Sequence, residues 1–139
     1  KEIIDLLRQR SRPYLFSNSL APAIAGASIE MFNMLEESTA LRDHLEETTT
    51  YYRDLLVKEG FDIIPGTHPC VPVMLYDEVT AAEFAERMRA KGVYVVAFSY
   101  PVVPKAKQES VSQVCASHTK EDIDFIVKCF KEVRAEMGL

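Results

Sequence analysis

Strand-like sequence in this chain is confined to its middle and comes in short pieces, each bounded by proline, glycine or helical sequence. Residues 70–76 and 110–116 alternate apolar with other side chains, and residues 93–98 are rich in β-branched ones. A β-like run at 61–65 leads into the loop IPGTHP. Helical sequence lies before, between and after these pieces. The order helix, helix, strand, strand, helix, strand, strand, helix predicts an α+β fold, with a largely antiparallel sheet and its helices on one face. Pro72 has no N–H to give a sheet, so its strand belongs at an edge or a bulge.

The helix ends are marked by chemistry. Apolar Ile3, Ile4, Leu6 and Leu7 recur at helical spacing before Arg8 and Arg10, as in the tail of a longer helix. Residues 23–36 are small and apolar around Gly26, which predicts a helix buried on more than one face. A second helix over 40–59 is stopped by Gly60 in the left-handed conformation. Thr80 and Glu83 have capping-box spacing and open a helix over 81–90, closed by Gly92. Thr119 and Asp122 cap the last helix, whose inward face is Ile123, Ile126, Val127, Phe130 and Val133.

With 139 residues the chain has the length of one domain, and a formal charge of −5 without a basic stripe argues against nucleic acid as a partner. No apolar run has the length of a membrane span, and the chain opens in charged helical sequence rather than in a signal peptide. Cys70, Cys115 and Cys129 are widely spaced in apolar surroundings, predicting buried free thiols and a reducing compartment. His44, His68 and His118 lack metal-ligand spacing, so no metal site is expected. His118 reads as a hydrogen-bonded residue at the start of a helix rather than a catalytic one. Glu36-Glu37 and Glu46-Glu47 read as solvated helix faces.

Two prolines bracket SRPYLFSNSLAP, residues 11–22, and bias it toward an extended segment. Its polar side chains precede a helix start, where free N–H groups suit an anion such as a phosphate. Ser19 as a plain N-cap, with Pro22 in the first helical turn, is the competing reading. The longer segment LRQRSRPYLFSNSLAP, with HPCVPVML, GVYVVAFSYPVVPK and ASHTKEDID further on, closely resembles the glycine C-acetyltransferases. These are α-oxoamine synthases, pyridoxal-phosphate enzymes of the aspartate-aminotransferase fold, and the resemblance extends over essentially the whole chain.

That resemblance implies the small C-terminal domain of such an enzyme over 23–139, with residues 1–22 leading from a large domain upstream. It implies a homodimer converting 2-amino-3-oxobutanoate and CoA to glycine and acetyl-CoA, and back, in threonine breakdown. The compartment would be bacterial cytoplasm or mitochondrial matrix. The Schiff-base lysine and the acid that pyridoxal phosphate requires would lie upstream, so this chain alone is expected to be inactive. By resemblance, Ser17 and Asn18 reach across the dimer to the cofactor phosphate, and Tyr14 and Phe16 pack the subunit interface. The family also places arginines on the last strand, one of them a fork for the substrate carboxylate. Glu109 and Val111 stand at those positions here, and Ala106 replaces a glycine. Lys105 and Lys107 bring charge nearby without a planar fork. A changed substrate, a different carboxylate anchor and a slipped reading frame over 106–112 are all open. So are another α-oxoamine synthase, such as 8-amino-7-oxononanoate synthase, and a non-catalytic dimerisation module.

Overall fold

The computed structural model describes residues 1–16, 19–105 and 107–139, which form two compact units, 1–39 and 40–139. The first holds helices α1 (Glu2–Arg10), α2 (Arg12–Leu15) and α3 (Pro22–Glu37). The expected extended segment therefore begins with a helical turn. Ser11 is extended, as a cap must be, and Pro13 sits in the first turn, where its missing N–H costs nothing. α3 is capped by Ala21, with Pro22 as its first residue, so Ser19 is not its N-cap. No residue of α3 is buried, contrary to the expectation for 23–36, and Ile24, Ile29, Phe32 and Met34 are all exposed. A helix this apolar is composed for a covering surface, and this unit supplies none.

The second unit contains α4 (Ala40–Lys58), β1 (Cys70–Met74), α5 (Glu78–Ala90), β2 (Val96–Phe98), β3 (Glu109–Gln113) and α6 (Lys120–Met137). The strands form one antiparallel sheet in the order β1-β3-β2. Pro72 therefore lies in an edge strand, as its chemistry requires. The β-like run at 61–65 contributes only a bridge between Ile63 and Val73. β2 is shorter than expected, because Val93 and Val95 pack as core residues ahead of the strand.

Alternation on β1 and β3 sends Val71, Val73, Ser110 and Ser112 to one face, where all four are buried. Helices α4, α5 and α6 cover that face with Tyr52, Leu56, Phe84, Met88, Ile123, Phe130 and Val133. Phe130 is central, with Phe61 edge-on at 5.6 Å and Phe84 tilted at 5.3 Å, arrangements that suit the ring quadrupoles. Arg53 of α4 is only 8% exposed, and its guanidinium donates to the carbonyls of Ile64, His68 and Cys70. It gives the irregular 61–70 segment the hydrogen bonds a strand would have supplied.

Gly60 ends α4 with φ 76°, and the N–H of Phe61 returns to the carbonyl of Leu56. α6 starts with the expected capping box of Thr119 and Asp122. α5 does not start as expected. Asp77 is its N-cap, accepting from the Thr80 N–H and hydroxyl, while Glu83 pairs with Arg87 one turn on.

Candidate functional site

The other face of the sheet carries no helix of this unit. Glu109, Val111 and Gln113 of β3 project there, since every second residue of a strand shares a face. The register sets Glu109 between Met74 and Phe98, and Val111 between Pro72 and Val96. A groove of about 1050 Å³ follows β3 over these residues and on to Ser117, His118 and Phe125. Its lining is mostly apolar and contains no lysine or arginine.

Val111, the expected carboxylate-arginine position, thus lies mid-groove between two apolar neighbours. Burial pushes the Glu109 carboxyl above its usual range. Lys105 is engaged elsewhere, with its ammonium 5.3 Å from the centre of the Tyr100 ring. Ser17, Asn18 and Ala106 lie outside the described residues. Phe16 is exposed among the described residues.

At the far end of the groove the chain turns from β3 into α6. The Cys115 N–H donates to His118 Nδ1 at 3.1 Å, and the Cys115 sulfur lies 3.1 Å from the Ser117 hydroxyl. That hydroxyl bond, with backbone N–H groups, holds the thiol below its usual range. His44 Nε2 donates to the His118 carbonyl at 3.1 Å, so His118 is fixed through both ring and backbone. The acid beside it, Asp122, is bonded to Thr119. The geometry is that of a helix start.

All three cysteines are free, but only Cys129 is buried; Cys70 is intermediate and Cys115 exposed, against the expectation of buried thiols. Cys115 continues the alternation of β3, in which Ser110, Ser112 and Val114 turn inward and Cys115 outward, so the alternating pattern of 110–116 already carried the signal. Among the described residues no cluster of three or more metal-ligating side chains occurs, and no helix is long and apolar enough to cross a membrane.

A family model for aminotransferases of class I and II matches residues 1–130. The chain is 44% identical over 139 residues to 2-amino-3-ketobutyrate coenzyme A ligase of Escherichia coli (strain K12), covering 100% of itself and 35% of that protein. It is 43% identical over 131 residues to the mitochondrial ligase of Homo sapiens, covering 94% of itself and 31% of the relative. Among solved structures, a high-resolution structure of SPT with PLP matches at a TM-score of 0.87 and 25% identity, over 97% of this chain and 34% of that one. The 8-amino-7-oxononanoate synthase of Francisella tularensis matches at 0.79 and 20%, over 99% and 40%. The chain thus spans about a third of the length of these relatives.

Proposed function

Since the chain belongs to the aminotransferase class I and II family, we propose that it is the C-terminal part of a pyridoxal-phosphate-dependent glycine C-acetyltransferase. The whole protein would interconvert 2-amino-3-oxobutanoate plus CoA with glycine plus acetyl-CoA, as a homodimer, in threonine breakdown. One observation carries this reading: 44% identity to a 2-amino-3-ketobutyrate coenzyme A ligase along all 139 residues. The bacterial and mitochondrial ligases among the relatives favour bacterial cytoplasm or mitochondrial matrix.

Pyridoxal phosphate, when bound, supplies an electron sink for the carbanion at the amino-acid α-carbon. The groove lining offers it neither an amine for a Schiff base nor a cation for its phosphate. No step through the cofactor is therefore assigned to the groove, and the chain alone is expected to be inactive. In this reading residues 1–22 lead from a large upstream domain, and Ser17 and Asn18 contact the cofactor phosphate of the partner subunit. Residues 23–139 are the small domain, whose open sheet face turns toward the substrate.

A second reading is favoured by Val111 and Glu109, which remove the arginine fork: an α-oxoamine synthase with another substrate pair, or a dimerisation module without activity. A panel of acyl-CoAs with glycine, alanine and serine, assayed for CoA release on the full-length protein, separates the three. Acetyl-CoA with glycine should be the preferred pair. Preference for a longer acyl-CoA or another amino acid would identify a different synthase, and no turnover with any pair would identify the module.

A further inference from the structure

The inner face of β3 breaks the pattern of the sheet it completes. Gln108, Ser110, Ser112 and Val114 alternate inward along the chain, and all four are buried. Ser110 stands between Val73 and Ala97 of the neighbouring strands, and Ser112 beside Val71. The central strand, flanked by apolar side chains, is thus polar at three successive inward positions. Ser112 has partners, the Tyr52 hydroxyl at 2.8 Å and the Val71 carbonyl at 3.3 Å. Gln108 Oε1 and Ser110 Oγ have none; among the described residues, Thr49 Oγ1 is the only other buried side-chain oxygen or nitrogen left so. Both atoms are sealed inside the 40–139 unit, out of reach of any further part of a longer protein. An orphaned buried polar atom costs stability and calls for a cause.

The genetic code supplies one. Codons for Ala-Lys-Gln-Glu-Ser-Val-Ser, residues 106–112, set end to end after that of Lys105 and read one base earlier, spell a different strand. In that frame position 108 can only be alanine or threonine, because a lysine codon ends in A or G and a glutamine codon begins with CA. Position 110 can only be isoleucine or valine when Ser110 is written with a codon beginning TC. Position 112 is then phenylalanine, leucine, isoleucine or valine, on the same condition for Ser112. Every inward position becomes small or apolar whatever the third bases are. The outward ones do not: 109 is arginine or glycine, and 111 is arginine, cysteine, serine or glycine. Inward apolar alternation, absent from the present frame, is written in the neighbouring one. From Gln113 the present frame serves again, with Val114 inward. The buried face alone carries this, without the acyltransferase reading: at 109 and 111 the other frame allows arginine but does not require it.

We propose that residues 106–112 are the product of two compensating one-base shifts in the gene, a loss at the start of the stretch and a gain at its end, in a strand built on small or apolar side chains at 108, 110 and 112. The gene is first sequenced over codons 105–113. The codons of Ser110 and Ser112 should both begin TC, and the frame one base earlier should run through the stretch without a stop. An AGC or AGT codon at either serine, or a stop in that frame, would overturn the proposal. The chain is then shifted back, by repeating the third base of the Lys105 codon and deleting the third base of the Ser112 codon. Tyr52→Phe is placed in both the shifted-back and the present chain, since the Tyr52 hydroxyl would otherwise lose Ser112 in one of them only. In urea the shifted-back chain should fold with an equilibrium constant at least about tenfold larger, a difference of about 1.4 kcal/mol. Equal or lower stability would overturn the proposal as well. Neither measurement involves catalysis, so a full-length protein lacking acyltransferase activity leaves the result intact, and failure here leaves the acyltransferase reading intact.

Discussion

Val111 is where the substrate question is decided. Two apolar cross-strand neighbours flank it on the groove face, so it offers a carboxylate nothing but contact. A charge-assisted hydrogen bond contributes roughly 1.5–3 kcal/mol, and about 1.4 kcal/mol is a factor of ten. In the full-length protein Val111→Arg should therefore tighten glycine binding by one to two orders of magnitude, read from the cofactor's absorbance during titration. Glu109 shares the face two residues away and would engage part of the new guanidinium, so adding Glu109→Gln should enlarge the gain. Equal affinities with and without the arginine would mean that another group holds the carboxylate. That Glu109, Val111 and Gln113 share a face was legible from alternation alone. That Glu109 lies between Met74 and Phe98 was not, because register between distant strands is fixed by packing rather than by neighbours in sequence. Arg53 shows the same limit. Within its helix it reads as an ordinary surface arginine, and only the path of the 61–70 segment makes it a buried donor to three carbonyls.

At the scale of elements, local chemistry predicts well until two local patterns compete. The Thr119–Asp122 box was legible because nothing nearby rivals it. The Thr80–Glu83 pattern misled because Asp77, three residues earlier, is the stronger cap and claims the Thr80 N–H. Thr119→Ala should destabilise the folded unit by about 1 kcal/mol, measured by urea unfolding at neutral pH. The deficit should depend on pH. Bonds from the Thr119 N–H and hydroxyl hold the Asp122 carboxyl below its usual range. A depressed folded value contributes stability that is complete above the unfolded value of about 3.9 and disappears as pH falls through the folded one. The difference between Thr119→Ala and the unaltered chain should thus be largest at neutral pH and shrink below about pH 4. A deficit that stays constant into acid would place the lost stability in the hydroxyl cap alone.

For the whole molecule, every buried side chain among the described residues lies between Thr48 and Val133. The core is complete without the first unit, whose α1 and α3 expose Ile3, Leu6, Ile24, Ile29, Phe32 and Met34. A shortened chain of residues 40–139 should unfold cooperatively with a urea midpoint close to that of the full sequence, and should bind less of a hydrophobic dye. A large fall in midpoint would mean that the first unit supports the core. The α+β class was legible at this scale, since short strand-like runs among helices leave few alternatives. The exposure of α3 was not, because an apolar helix announces that it needs a cover without saying what supplies it. The strand order β1-β3-β2 also has a consequence in time. The last strand to be synthesised occupies the middle, so β1 and β2 have no mutual bonds and neither meets its sheet partner before β3 exists. At translation speeds of about 5–20 residues per second, the 70–74 segment waits several seconds for β3, with only the 62–64 segment to bond to. The α4 sequence is already synthesised in that interval, so Arg53 is available to the carbonyls of Ile64, His68 and Cys70 before β3 arrives. The order of synthesis thus makes α4 and the 61–70 loop available to each other before the sheet can close.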